Sequence, residues 1–327
     1  MSSKGSCYLL HPPIICPSPS LHAMRRDASA PFNSNKADIV LRSSDDMYFR
    51  VYRCLLALAS PFFDSMFDLP QPQAHSPHEE MYHGLEVIPV TENSRVLDML
   101  LRFCYPASVD KLHPEKAADI ERVLEAAVKY GMEEVEERVR RSLLEPSILE
   151  KEPLQVFAVA YRFRCEPEAR AAATCLLGQP APPANSTTLK YVSQGDLRNL
   201  AVYRAKCAQA VLALGSNLAW LQEKESYGFF KWWTNCCMCL QRADTRFLMH
   251  GAYAREWWAE YMEETLGILQ ETPCAAAVHQ NVRKALERAA GCPFCRRKSQ
   301  PYMSDFVKRF GEAVDEAIAG IPLGIPL

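Results

Sequence analysis

Two cysteine motifs in the last third of the chain carry the strongest chemical signal in the sequence. The segment "NCCMC" contains Cys236 and Cys239, and the segment "CPFC" contains Cys292 and Cys295. Each segment offers a Cys-x-x-Cys pair, and two such pairs are a common tetrahedral ligand set for zinc. Because four thiolates leave zinc no open coordination position, the motifs predict a structural zinc site and no catalysis.

The spacing of the two pairs leaves other interpretations open. Their separation exceeds the roughly 15–20 residues of a compact zinc ribbon, so the metal would join segments that are distant in sequence. Cys237 is an alternative ligand to Cys236. Buried thiols without a metal, and a redox or disulfide role, are the remaining alternatives.

The composition favours a globular protein of a reducing compartment. The chain has 327 residues, 13 cysteines and a formal net charge of -2. A disulfide scaffold is usually short and dense in cysteine, so we expect free thiols and an intracellular location, in the cytoplasm, the nucleus or both. No apolar run approaches the roughly 18 residues of a membrane-spanning helix, so no contact with a membrane is expected.

A basic stretch surrounds the second cysteine pair. Residues 283–309 are rich in Lys and Arg and contain only Glu287 and Asp305 as acids. Basic charge beside a zinc knuckle is typical of nucleic-acid binders, but we favour a solvated helical face. The sequence has no phosphate-binding glycine loop and no recognisable hydrolase motif, so we do not expect an enzyme.

Local patterns divide the remainder of the chain. Residues 1–35 include a Pro/Ser-rich stretch and are predicted to be a disordered leader. The alternation in "ADIVLRSSDDMYFRVYR" predicts a β-hairpin, and Ser60 before Pro61 predicts the start of a helix. Beyond a Pro-rich linker, the apolar periodicity predicts helices that include residues 275–290 and 304–319.

The order of these elements is specific. It is carried by "ADIVLRSSDDMYFRVYRCLLALASPFFDSMF", then "LEVIPVTENSRVLDMLLRFCYP", then "VLEAAVKYGMEEVEERV". This succession closely resembles a BTB/POZ domain of the divergent type common in fungi. The resemblance implies an α+β fold, a small sheet capped by helices, over residues 36–145. The helix pair in residues 146–180 resembles the start of the helical extension that often follows such a domain. The helical pattern beyond it predicts a C-terminal domain at 181–320 that carries the cysteine pairs, and a tail at 321–327.

The resemblance also implies a function in protein association, through a homodimer or a pair with another BTB protein. In the family, the positions of Asp38 and Arg53 often form the floor of a shallow charged pocket. Tyr52 stands where the family usually has His. We expect the pairing face to lie between Met47 and Leu58. Besides Asp38 and Arg53, the candidate contact residues are Met47, Phe49, Tyr52, Leu55 and Leu58.

Two alternative functions stay open. The first is a substrate adaptor of a cullin–RING ubiquitin ligase. The family often marks cullin binding by a hydrophobic residue two positions before a Glu, and that pattern is not recognisable in residues 69–84. The second is a transcription-associated regulator that binds nucleic acid through the basic stretch.

Overall fold

The computed structural model describes residues 26–69, 80–105, 114–180, 192–221, 236, 238–239, 248–249 and 252–324. Within these residues, the N-terminal part combines one sheet with helices. The part beyond residue 144 is helical, apart from one short hairpin whose two strands have two residues each. The expected α+β unit followed by a mostly helical C-terminal region is therefore confirmed.

The sheet has five strands in the spatial order β1–β3–β2–β5–β4. The predicted hairpin is present, because β2 and β3 pair antiparallel with Leu41 opposite Phe49. Strand β5 then lies parallel to the other edge of β2. The strands are β1 Arg26–Asp27, β2 Ile39–Arg42, β3 Met47–Val51, β4 Met81–Tyr82 and β5 Leu85–Pro89.

The segment just before the hairpin belongs to this unit. Strand β1 pairs parallel with β3, and Phe32 is fully buried, with its ring 5.7 Å from Phe49 and 5.2 Å from Tyr105. The sequence predicts a disordered leader over the whole of residues 1–35, whereas residues 26–35 pack against the sheet. A single buried aromatic ring in a polar stretch has no periodicity, so the pattern could not reveal it.

Five helices cover the sheet. The predicted start at Pro61 is confirmed, because the buried Ser60 side chain accepts a hydrogen bond from the amide of Phe63 at 3.2 Å. Asn93 caps the third helix in the same way, through the amide of Val96. The helices are α1 Arg53–Ala59, α2 Pro61–Phe67, α3 Ser94–Cys104, α4 Ala117–Lys129 and α5 Glu133–Arg141.

The helical region continues directly from this unit. A short helix and a packed helix pair come first, and a long helix and four more helices follow. The short strands β6 Leu248–Met249 and β7 Ala252–Tyr253 lie between them. The helices are α6 Pro146–Leu149, α7 Pro153–Arg162, α8 Glu166–Leu177, α9 Gln194–Ser216, α10 Glu256–Glu271, α11 Ala275–Val278, α12 Val282–Ala289 and α13 Pro293–Ala319.

Two of the predicted helix boundaries were wrong. The segment 275–290 is broken at residues 279–281 into α11 and α12. The last helix begins at Pro293, eleven residues before the predicted start, and continues through Pro301. Proline is favoured in the first helical turn but normally breaks a helix interior. A sequence pattern that contains Pro301 therefore does not predict the N-terminal part of α13.

The two parts of the chain share a continuous core. One cluster of buried apolar residues extends from Ala28 in the N-terminal segment to Leu323 after the last helix. Arg204 on α9 strengthens the junction, because its guanidinium donates to the carbonyl oxygens of Leu176, Gln179 and Glu271. Carbonyl groups at helix ends have no partner within the helix, so this one side chain joins the ends of α8 and α10.

Candidate metal centre and interaction surface

The four predicted cysteine ligands meet at one point of the structure. Cys236 and Cys239 come from the chain before β6, and Cys292 and Cys295 come from the N-terminus of α13. The four Sγ atoms all lie within 4.8 Å of one another. Cys237 lies outside the described residues, so the question of ligand register is not tested.

The separations of the sulfur atoms fit a tetrahedral thiolate site. The Sγ atoms of Cys236 and Cys292 are 3.6 Å apart, and those of Cys239 and Cys295 are 3.4 Å apart. Four sulfurs bound at the usual zinc–sulfur distance of 2.3 Å would lie about 3.8 Å from one another. The chain thus brings four soft ligands together at a spacing close to that of one zinc ion.

Main-chain amides surround the cluster. The amide of Met238 donates to Cys236 Sγ at 3.4 Å. Cys292 occupies the N-cap position of α13, and the main-chain amide of Cys295 lowers the pKa of the Cys292 thiol to about 6. Burial raises the pKa of Cys295 to about 11 and also raises the pKa of Cys239. The first turn of α13 therefore favours a thiolate at Cys292 in particular.

The cluster has a buried side and an open side. Cys236 and Cys295 are 0% and 5% exposed. Cys239 and Cys292 line a surface cleft of about 540 Å³, whose wall includes Trp257. One cysteine of each motif thus borders the cleft, and the other lies in the core.

A buried arginine supports the first cysteine motif. Arg255, the N-cap residue of α10, is 4% exposed and donates to the carbonyl oxygen of Cys239 at 3.3 Å. Four thiolates and one Zn²⁺ would carry a net charge of about −2. A guanidinium at this position offsets part of that charge and holds the backbone of the motif.

The predicted association face is only partly available to a partner. Leu58 is 85% exposed and Asp38 is exposed, whereas Phe49 is 1% exposed and belongs to the core. Phe49 therefore cannot contact another chain, because it lies on the inner face of β3. The half-buried candidates are Met47, Tyr52, Arg53 and Leu55.

Asp38 and Arg53 are neighbours, but they do not form an ion pair with each other. The carboxylate of Asp38 accepts a hydrogen bond from the main-chain amide of Arg53 at 2.8 Å. The Arg53 guanidinium instead contacts Glu86 at 2.7 Å and lies over the ring of Phe67. The position of Asp38 is thus set by the start of α1, and Arg53 connects α1 to β5.

Residues 31–147 match the BTB/POZ domain family. This part of the chain is a BTB/POZ domain. The match begins before the predicted boundary at residue 36, in agreement with the burial of Phe32. A search of curated proteins finds no relative of the chain.

The BTB domain presents an apolar surface that extends beyond the predicted association face. Phe62 on α2 is 50% exposed, and Ser60, between α1 and α2, separates it from Leu58 on α1. The ring of Phe62 contacts the ring of Tyr130, with ring centroids 5.5 Å apart. Periodicity identifies an apolar face, but it does not show how much of that face the rest of the domain covers.

Part of the basic stretch is neutralised by neighbouring acids. Lys284 and Arg288 both bind Glu264, and Arg288 also contacts Glu260. Arg309 pairs with Asp305 on the same helix. These contacts favour the interpretation as a solvated helical face.

In the described part of the chain, no helix has both the length and the apolar character needed to cross a bilayer.

Proposed function

We propose that the protein acts by association, and that its BTB domain pairs with a second copy or with another BTB protein. BTB/POZ domains are protein-interaction modules, and the exposed face of α1 and α2 is the surface that supports pairing here. Leu58 carries the proposal, because a leucine side chain that is 85% exposed on a packed helix has no role in the core of its own domain.

The neighbours of Leu58 extend this surface. Phe62 is half exposed on the next helix, and Leu55 is half buried on the same helix as Leu58. Contiguous exposed apolar surface is typical of interfaces, and a twofold dimer buries the same patch on both copies. A self-complementary apolar patch therefore accounts for side chains that would otherwise face water.

Sedimentation of the full chain tests pairing. Wild-type protein should sediment as a dimer at micromolar concentration, and Leu58→Arg should shift it to a monomer because a charge would be buried without a partner. Val202→Arg is the control, since Val202 is an exposed apolar residue, at 51%, that lies on α9. A wild-type protein that stays monomeric and recovers no BTB protein from a cell lysate would refute the proposal.

Two further experiments address the alternative functions. Affinity purification followed by mass spectrometry should recover BTB proteins or the chain itself, and Leu58→Arg should lose them. Recovery of a cullin that Leu58→Arg leaves unchanged would instead support a ubiquitin-ligase adaptor. Duplex DNA that binds at physiological salt and is lost at high salt would support the nucleic-acid regulator.

We also propose that the C-terminal part holds one structural zinc ion through Cys236, Cys239, Cys292 and Cys295. The proposal rests on the distances among the four Sγ atoms, all within 4.8 Å. A metal that closes such a long loop would stabilise the C-terminal helices by restricting the unfolded chain. Zinc would have no open position there, so the site has a structural role and no catalytic one.

Metal analysis of purified protein tests the zinc site. One zinc per chain is expected, and a chelator should lower the melting temperature. Cys295→Ser should lose the metal, whereas Cys54→Ser should keep it, because Cys54 is exposed on α1 and far along the chain from the cluster. Protein that contains no zinc and melts unchanged with chelator would exclude the site.

The free thiols support an intracellular location. The cysteines in the described residues are all free thiols. Free thiols are usual in the reducing cytoplasm and nucleus. We propose these compartments for the protein. Imaging of the tagged full chain, with an N-terminal and a C-terminal tag compared, is the direct test.

A further inference from the structure

We infer that the cysteine cluster is also a site of reversible oxidation by peroxides, in which two disulfides form between the motifs and zinc leaves. The expected bonds are Cys236–Cys292 and Cys239–Cys295. The release of zinc rests on the proposed metal site, whereas the pairing of the cysteines rests on the positions of the sulfur atoms alone.

The pairing follows from the short sulfur contacts. Cys236 lies 3.6 Å from Cys292, and Cys239 lies 3.4 Å from Cys295. Both contacts join one motif to the other. A disulfide needs sulfurs about 2.05 Å apart, so each pair must approach by less than 2 Å, which small side-chain rotations can supply once the metal no longer holds the sulfurs apart.

The cleft supplies the route for the oxidant. Cys239 and Cys292 line it, whereas Cys236 and Cys295 are almost fully buried. Each close pair therefore contains one cysteine that borders the cleft and one that lies deeper in the core. This is the arrangement of an attacked cysteine with a resolving cysteine beside it.

The chemistry balances with hydrogen peroxide as the oxidant. The thiolate that borders the cleft attacks the O–O bond, gains one oxygen as a sulfenic acid, and hydroxide leaves. The buried thiol then displaces that oxygen as water and forms the S–S bond. Each disulfide reduces one peroxide by two electrons, so two peroxides convert four thiols and release one Zn²⁺. A thiol reductant reverses the change.

The two disulfides would replace the metal as a link between the motifs. Cys292 and Cys295 begin α13, and the other two cysteines precede β6. Cross-motif bonds keep these segments joined after zinc is lost. Bonds within each motif would leave the segments free to separate. Oxidised protein should therefore melt at a higher temperature than reduced protein that has been stripped of metal by chelator.

Tryptic mapping distinguishes the two modes of pairing. Cleavage after Lys231 and Arg242 isolates the first motif, and cleavage after Arg288 and Arg296 isolates the second. Full-length protein is treated with two equivalents of hydrogen peroxide, alkylated, and digested without reduction, while a chromogenic chelator reports released zinc. Cross-motif bonds join the two peptides into one species, and bonds within a motif leave each peptide separate and two hydrogens lighter.

Matched variants test whether each cysteine of the first motif can join the two peptides by itself. Cys236→Ser should retain the joined species through Cys239–Cys295, and Cys239→Ser should retain it through Cys236–Cys292. Cys237→Ser is the control and should leave both the mapping and the zinc release unchanged. Loss of the joined species in Cys237→Ser would overturn the pairing.

The outcomes separate this inference from the zinc proposal. Joined peptides together with one equivalent of released zinc support both. Joined peptides from protein that never contained zinc support the pairing and refute the metal site. Zinc-loaded protein that yields only bonds within a motif, or no disulfide at all, overturns the inference and leaves the metal site standing.

Discussion

The hydroxyl group of Ser60 donates a hydrogen bond to the carbonyl oxygen of Tyr130 at 2.6 Å, across 70 residues of sequence. The same hydroxyl accepts a hydrogen bond from the amide of Phe63 and so caps α2. Both groups are buried. One side chain thus connects the apolar segment of α1 and α2 to the end of α4, and it holds the proposed pairing face on the BTB domain.

Replacement of Ser60 by alanine should destabilise the BTB domain. Ser60→Ala removes a helix cap and leaves a buried carbonyl without its partner, and we expect a loss of about 2 kcal/mol in the free energy of unfolding. Chemical denaturation of the full chain measures this loss. Ser65→Ala, at an exposed position of α2, should change the free energy by less than about 0.5 kcal/mol. Equal effects would contradict the role of Ser60.

Arg204 should be essential for the junction between the helical extension and the C-terminal helices. Arg204→Met removes the donors to Leu176, Gln179 and Glu271, and we expect a loss of about 2–3 kcal/mol, because hydrogen bonds of a charged donor are stronger than neutral ones. Limited proteolysis should then cut between the two regions more rapidly. The exposed Lys206 on the same helix provides the control, Lys206→Met, for which the cleavage rate should equal that of wild type.

Glu92 should make part of the stability depend on pH. Burial acts to raise its pKa, but hydrogen bonds from Lys129 at 2.8 Å and Tyr130 at 2.5 Å outweigh burial and lower the pKa. A lowered pKa in the folded state means that the carboxylate stabilises the fold above its ordinary pKa of about 4.3 and loses this effect as the pH falls further. Glu92→Gln should therefore cost about 1–2 kcal/mol at pH 7.

The difference between wild type and Glu92→Gln should shrink as the pH falls below about 4.3. Denaturation at several pH values measures this change. Glu312→Gln, at an exposed position of α13, should show no such trend. A difference that stays constant from neutral to acidic pH would show that the carboxylate charge contributes nothing.

Arg255 should increase the zinc affinity of the cluster. Arg255→Gln weakens the contact to the Cys239 carbonyl and removes the buried positive charge, so we expect about tenfold weaker zinc binding, as is typical when a group behind a metal ligand is lost. Competition with a chromogenic chelator measures the affinity. Arg283→Gln removes an arginine side chain that is 91% exposed and should leave the affinity as in wild type.

Much of the BTB domain follows from local sequence. The alternation before Arg53 predicts the hairpin, Ser60–Pro61 predicts the start of α2, and the order of the elements identifies the family. These features depend on neighbours within a few residues, where steric preferences and hydrogen bonds of the backbone act directly. The two Cys-x-x-Cys motifs are local in the same sense, since each presents two sulfurs from one short loop.

Tertiary structure decided the remaining features, because they depend on contacts between distant residues. The sequence identifies four cysteines as candidate ligands. Only the packing of α13 beside the segment before β6 brings the Sγ atom of Cys239 within 3.4 Å of the Sγ atom of Cys295. Packing also places Phe32 in the core and buries Phe49 while it leaves Leu58 exposed. Apolar character alone shows that a side chain avoids water, and the surrounding chain determines whether its own domain or a partner covers it.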